Sequence, residues 1–458
     1  MSRVDGSLGS LVQGVSQQPT RARRAGQAER QINLSNDEVF GLSRRPGIKL
    51  NSFDTAGVAN TDDAWYGSVI GPDGTPLFWR VRGGDLRLVN AATGVCIANI
   101  SGGGYLSPSS GTGGTIDPDV RVTVVDGQLM IINTNKTVSM YNLPGGSSPT
   151  LAPDYADNLG TVIYSRGAAP ATEFTISLTD TSGTYTCTVT PSDTVQAEVT
   201  TTWIMENLYG LLAGTVSPGT GLEISTGLVS HISANYTVDL VQGNMLIQAN
   251  SSTINAVVTV TDGTGERLLQ AINNMVSEVG RLPLRARKNQ VVRVVGDTDN
   301  ADDYFLRFDT DSGTTGDFSD VDGVWREDAS PESRFRLNAS TMPHTITEVA
   351  GVWSINPYTW EDKFAGDDNS NPEPAFVGER IRDIVEFQER LVLAHDSGVS
   401  MSQAKDPTNF WLQSATGLQD DDTIHVIPKS NRAFTLRSAV ISNRDLVIFG
   451  SNSTQFTV

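Results

Sequence analysis

VRVTVVDGQLMIINTNKTVSM (residues 120–140), IRDIVEFQERLVLAHDSGVSM (381–401) and LRSAVISNRDLVIFGSNSTQF (436–456) share one plan. Each opens with an apolar residue followed by Arg121, Arg382 or Arg437, then runs strand, polar turn, strand from Leu129, Leu391 or Leu446, and a second polar turn. In the first two copies a third strand is expected from Val138 and Val399, each 17 residues after its arginine. WYGSVIGPDGTPLFWRVRGGDLRLVN (65–90) is a looser version. Copies start 55 residues apart at Ile381 and Leu436, and about as far apart at Trp65 and Val120, near the ~40 to 50 residue period of propeller blades. Antiparallel strand units with Asp-Gly and Gly-rich turns predict a mainly β protein with a β-propeller-like platform.

The pattern changes between about 152 and 288. AEVTTTWIMENLYGLLAG (197–214) places Val199, Trp203, Ile204, Leu208, Leu211 and Leu212 at helical spacing, with Gly214 as a C-cap. ERLLQAINNMVSEVG (266–280) predicts a second helix through Leu268, Leu269, Ile272, Met275, Val276 and Val279, stopped by Gly280 and Pro283. Strands such as TEFTISL, TYTCTVT, YTVDLV and NAVVTVTD flank them, so an α+β domain is expected inside the β-repeats. The 458 residues can hold two or three domains or one large β body with an insertion.

A formal charge of −19 argues against binding nucleic acid or anionic membranes by bulk attraction. No apolar run approaches the ~20 residues of a membrane span. Two cysteines, Cys96 and Cys187, are too few for a disulfide framework and are read as buried thiols of a protein made in a reducing cytoplasm. No nucleophile elbow, P-loop or His-Glu-x-x-His stretch is present, and His231, His344, His395 and His425 are far apart in sequence. From Asp309, the EF-hand pattern fails at Thr314 and Asp320. No cofactor, metal or catalytic residue is expected.

Arginines and lysines fall in groups: Arg21, Arg23, Arg24 and Arg30; Arg44 and Arg45; and Arg281, Arg285, Arg287, Lys288 and Arg293. They are placed to touch phosphate or, in so acidic a chain, carboxylates of a neighbouring domain or subunit. The first group lies in GVSQQPTRARRAGQ (14–27), which has hardly an apolar residue to bury.

Gly14-Val15-Ser16-Gln17-Gln18-Pro19, Arg21, Gly26-Gln27, Gln31-Ile32-Asn33, Gly41-Leu42 and Arg45-Pro46-Gly47 together resemble the N-terminal signature of the tail tubular protein B family, the nozzle proteins of short-tailed bacteriophages. LPLRARKNQVVRVVGDTDNADDYFLRFD (282–309), ASTMPHTI (339–346) and the block from Phe376 to Trp411 look like that family's internal blocks, in the same order. Gln13 departs from a glycine often found there, and family members usually run well past 458 residues, so a continuation beyond Val458 is expected.

The resemblance implies a structural, non-enzymatic virion tail protein made in the host cytoplasm. It implies a homo-hexameric ring below the tail adaptor protein, which continues the DNA ejection channel and helps dock a tail fibre or tailspike. Double-stranded DNA would pass without sequence specificity. The expected divisions are 1–50, an extended signature segment packing on the platform; 51–151, first blades; 152–288, the inserted α+β domain; and 289–458, further blades. Gln17, Gln18, Arg21, Arg24 and Arg45 are interface candidates, on a chain held extended by Pro19. Asp297, Asp299, Asp302, Asp303, Asp309 and Asp311, in the tract 297–322, are candidates for a channel-facing surface that repels phosphate. A glycan- or cell-wall-degrading propeller enzyme and a carbohydrate-binding adhesin are the alternatives.

Overall fold

The computed structural model describes residues 64–457 except 112–113, 117–118, 142–159, 252–253, 297–302, 314–315, 319–321, 430–432 and 443. Of the first 63 residues it describes 15–16, 18–19, 21–24, 27–28, 30–32, 34–37 and 41–44. The chain separates into two compact units, Met1–Asn60 and Thr61–Val458. In the first, Leu34–Asp37 and Gly41–Arg44 form an antiparallel ribbon.

The second unit is mainly β and built of small, mostly antiparallel sheets. Sheet 1 is a meander of Trp65–Ile70, Pro76–Arg82, Asp85–Asn90 and Cys96–Ser101. Sheet 2 joins Val120–Val125 and Gln128–Asn133 to His344–Val349 and Val352–Pro357. Sheet 3 contains Ile381–Phe387, Arg390–His395, Val399–Met401 and Ile424–Val426, and sheet 4 Leu436–Ser442, Asp445–Gly450 and Gln455–Thr457.

Strand alternation explains how these sheets stack. In Gln128–Asn133, Leu129 and Ile131 pack with Val81, Leu86 and Leu88 of sheet 1, whereas Met130 and Ile132 pack with Ile384, Leu391 and Leu393 of sheet 3. In Arg390–His395, Leu391 and Leu393 face sheet 2, and Val392 and Ala394 face Leu446 and Ile448 of sheet 4. Successive side chains point to opposite faces, so a strand with apolar residues at every position must be covered on both sides.

The first repeat departs from its expected third strand. Around Val138–Met140 only isolated bridges form, Thr137 to Arg380 and Met140 to Leu337. The third place in sheet 2 is taken by His344–Val349, with Leu129 opposite Ile346. Residues from Gly160 to Asp328 therefore lie between two strands that pair with each other.

Within that span, sheet 5 has the order Tyr236–Val241, Asn244–Ala249, Gly160–Ser165, Leu269–Ile272, and sheet 6 the order Leu222–Ile224, Gly183–Val189, Phe174–Asp180, Val257–Thr261. Helix α1, Thr201–Ala213, forms where the apolar spacing predicts it. The Thr200 side chain accepts from the Trp203 N–H at its start, and Gly214 closes it at φ 74°. Ile204, Leu208, Leu211 and Leu212 of α1 share one core with Ile163 and Ile247 of sheet 5 and Phe174, Ile176 and Val189 of sheet 6. Sheet 7, from Met275–Val276, Val291–Val294, Tyr304–Thr310 and Gly323–Asp328, packs through Val276, Val292 and Leu306 against Ile272 and Tyr164.

The helix expected over 266–280 does not form. The buried Asp262 carboxylate accepts from the N–H groups of Thr264, Glu266, Leu268 and Leu269 at 2.8, 2.9, 2.5 and 3.1 Å, tying the leading donors into a loop. Leu269–Ile272 then supplies an edge to sheet 5, pairing Ile272 with Val162. Met275 and Val279, which a helix would bury, are about half exposed at 55% and 49%. A shorter helix α2, Leu228–Asn235, forms instead after Gly227 at φ 84°. Cys187 is buried as expected, but Cys96 is exposed. Among the described residues no helix is long and apolar enough to cross a membrane.

Candidate functional site and interaction surfaces

In the N-terminal unit the polar stretch folds back on itself. Val15 bridges Ala28, the Ser16 N–H donates to the Ala28 carbonyl at 2.9 Å, and the Ala22 N–H donates to the Pro19 carbonyl at 2.8 Å. Pro19 thus stands at the first position of a tight turn closed by Ala22, a correction to the extended form expected of this stretch. The Arg23 guanidinium donates to the Gln18 carbonyl at 2.9 Å, and the Gln27 side chain accepts from the Arg24 N–H at 3.0 Å. These bonds use backbone and leave Gln18, Arg21 and Arg24 exposed. Gln17 and Arg45 lie outside the described residues.

The acidic tract and the third basic group meet within the chain. Asp303 is 1% exposed, paired with Arg293 and accepting from the Gly296 N–H at 2.8 Å. That corrects its assignment to a channel-facing surface, because a carboxylate buried against a guanidinium projects little charge into solvent. Asp309 stays half-exposed 3.2 Å from Arg326, and Asp311 is exposed. Asp297, Asp299 and Asp302 lie outside the described residues. Arg285 bonds Gln242 at 3.0 Å and Asp322 at 2.8 Å. Arg287 donates to the Gly316 carbonyl at 3.1 Å, and Lys288 to the Thr310 carbonyl at 3.0 Å. Much of this basic group therefore fastens the acidic loop, and the signal for that was only the closeness of opposite charge in sequence.

The fold also gathers histidines that sequence spacing separates. His395, fully buried, lies 2.5 Å from Glu379, and its Nε2 is 3.2 Å from Ser400 Oγ, which is 2.9 Å from Nδ1 of His425. Burial lowers the His395 pKa against the upward pull of Glu379. Desolvation of the His425 ring, with His395 beside it, pushes its pKa down to about 4. Ser400 is 0% exposed, so this chain of bonds joins neighbouring strands of sheet 3 rather than presenting a nucleophile to a substrate. His231 similarly sits 2.6 Å from Asp180, which accepts from Tyr236 at 2.7 Å.

An open cleft of about 670 Å³ runs between the first turn of α1 and sheet 5, edged by Tyr164, Arg166, Thr202, Gln242 and Asn244. Its lining holds one carboxylate, Glu206, whereas glycoside hydrolysis usually takes a pair.

Comparison with known proteins completes the picture. Over residues 1–458 the chain matches the family described as bacteriophage nozzle protein. It is 26% identical over 473 aligned residues to the tail tubular protein gp12 of Escherichia phage T7, covering 100% of this chain and 53% of that relative. The chain thus spans about half the length of the curated relative it matches. With the match running the whole length of the chain, it belongs to the bacteriophage nozzle protein family, structural components of the virion tail.

Proposed function

We propose that the chain assembles with copies of itself into a hexameric ring that continues the DNA ejection channel below the tail adaptor and offers a surface for tail fibres. The observation that carries this reading is family membership over residues 1–458. It acts without catalysis. The face-to-face sheets 1 to 4 serve as a propeller-like platform, spanning parts of 51–151 and 289–458, and the body interrupting sheet 2, from Gly160 to Asp328, serves as the inserted α+β domain expected over 152–288. Sheets 1 and 4 end the stack with exposed apolar side chains, Tyr66, Ile70 and Phe78 on one and Val440 and Phe449 on the other, as suits faces that other domains or subunits cover.

Residues 1–50, through Gln18, Arg21 and Arg24 with Gln17 and Arg45, contribute contacts to the next subunit. A heterologous interface that closes generates the ring. Exposed carboxylates such as Asp311, in a protein of net charge −19, keep a passing duplex from adhering. Native mass measurement and negative-stain imaging of the protein mixed with its adaptor test the reading. Rings that join the adaptor are expected, with Gln18, Arg21 and Arg24 changed together to alanine lowering the ring fraction. A persistent monomer that never joins the adaptor overturns it.

A further inference from the structure

An arginine opens each of the three repeats. Arg121, Arg382 and Arg437 are each the second residue of the first strand in sheets 2, 3 and 4, directly after the buried Val120, Ile381 and Leu436. All three line one polar cavity of about 310 Å³, with Asp119, Thr134 and Ser451 among its other walls.

Two of the three sit on equivalent irregularities. The register of sheet 3 passes from Ile381 opposite His395 to Asp383 opposite Ala394, and that of sheet 4 from Leu436 opposite Gly450 to Ser438 opposite Phe449, skipping Arg382 and Arg437. One extra residue resets the alternation, so Ile381 and Ile384 share one core, as do Leu436 and Ala439. A β-bulge re-aims the side chain it carries, and here both bulged side chains are cavity-lining arginines.

The charges are unevenly neutralised. Arg382 is fixed by Asp396 at 2.6 Å and the Thr134 carbonyl at 3.2 Å, and Arg121 lies 3.7 Å from Asp119. The Arg437 side chain makes no hydrogen bond or ion pair among the described residues, and the residue is exposed. Asp119 is the one carboxylate in the lining. Ser451 Oγ accepts from the Thr435 N–H at 3.0 Å, leaving its own proton for an acceptor in the cavity. Guanidinium forks and a hydroxyl converging on a small polar space match a tetrahedral oxyanion.

We propose that this cavity binds a phosphate group, gripped by Arg437 and Arg121, with Arg382 held in place by Asp396. Calorimetric titration of the full chain with inorganic phosphate in low-chloride buffer tests it. Saturable one-to-one binding is expected, weakened about 10-fold or more by Arg437→Gln and less by Arg437→Lys, which keeps the charge but loses the fork. Because Arg437 is exposed and makes no such contact, its replacement leaves folding unchanged; Arg326→Gln, in sheet 7, leaves affinity unchanged. Absence of saturable binding at millimolar phosphate, or equal affinity in the Arg437→Gln protein, overturns the proposal. A short duplex DNA added as competitor assigns the source: displacement of phosphate upholds the site as one for backbone phosphate, and no displacement upholds it as one for the free anion.

Discussion

The sheet stack and the body that interrupts it solve the same problem differently. In the stack, strands such as Gln128–Asn133 and Arg390–His395 are apolar on both faces, and each middle sheet is held by two cores at once. In the inserted body the larger of two cores collects two helices and two sheets, and loops are held by buried carboxylates such as Asp262 and Asp180. Position in the stack is over-determined, since a one-residue slip would exchange the two faces of a strand and uncover both cores. In the inserted body it depends on a few polar groups whose partners are fixed only by the fold.

The largest effect should come from hollowing either core. Leu393→Ala, in the stack, and Leu208→Ala, in α1, are each expected to cost about 2–5 kcal/mol. Hydrogen exchange separates the regions: Leu393→Ala should lower amide protection in Arg390–His395 while Thr201–Ala213 keeps its own, and Leu208→Ala the reverse. Equal loss of protection in both regions for both variants would show one cooperative unit and dissolve the comparison.

A smaller effect isolates the polar device of the inserted body. Burial alone would raise the Asp262 pKa, but the N–H groups of Leu268, Thr264 and Leu269 outweigh it and hold it at about 2. Its folded value lies below the ordinary 3.8, so the stability it contributes is fully present above about pH 4 and is lost as pH falls through 2. Asp262→Asn should cost about 1.5–3 kcal/mol at pH 6, from charge-assisted bonds lost to a neutral acceptor. Urea melts at pH 6 and near pH 2 should bring variant and parent closer together at the acid end. A constant gap between them would remove the carboxylate from the account.

These contrasts explain what could be read from sequence. The hairpins at 120–133, 381–395 and 436–450 were legible because period-two apolar runs meet polar turns, and α1 because its stripe has a threonine cap and a terminal glycine. Residues 266–280 carry an equally good helical stripe, but the competing acceptor, Asp262, lies before the segment and the open edge of sheet 5 lies about a hundred residues upstream. The burial of Asp303 and the His395–Ser400–His425 chain depend on pairings that no local pattern encodes. The three arginines were visible as a repeat, but their convergence needed the stacking of sheets 2, 3 and 4 and two bulges.

The smallest effect compares two copies of one turn inside the stack. Val125 and Gln128 are joined by Asp126 and Gly127 at φ 48° and 67°; Phe387 and Arg390 are joined by Gln388 and Glu389 at 52° and 59°. Both are two-residue connections with two left-handed residues, the conformation that favours glycine at its second position. The first copy has that glycine, and the second holds a glutamate there at a steric cost. Glu389→Gly should therefore stabilise the protein by about 0.5–1 kcal/mol, and Gly127→Glu should destabilise it by a similar amount. The Lys405 N–H still finds the carbonyl of residue 389 at 2.8 Å, and the loose Glu389–Lys405 pair, 3.9 Å apart and exposed, offsets little of the gain. If thermal melting shows Glu389→Gly to be destabilising, the glutamate side chain has a role in the stack that turn geometry does not supply.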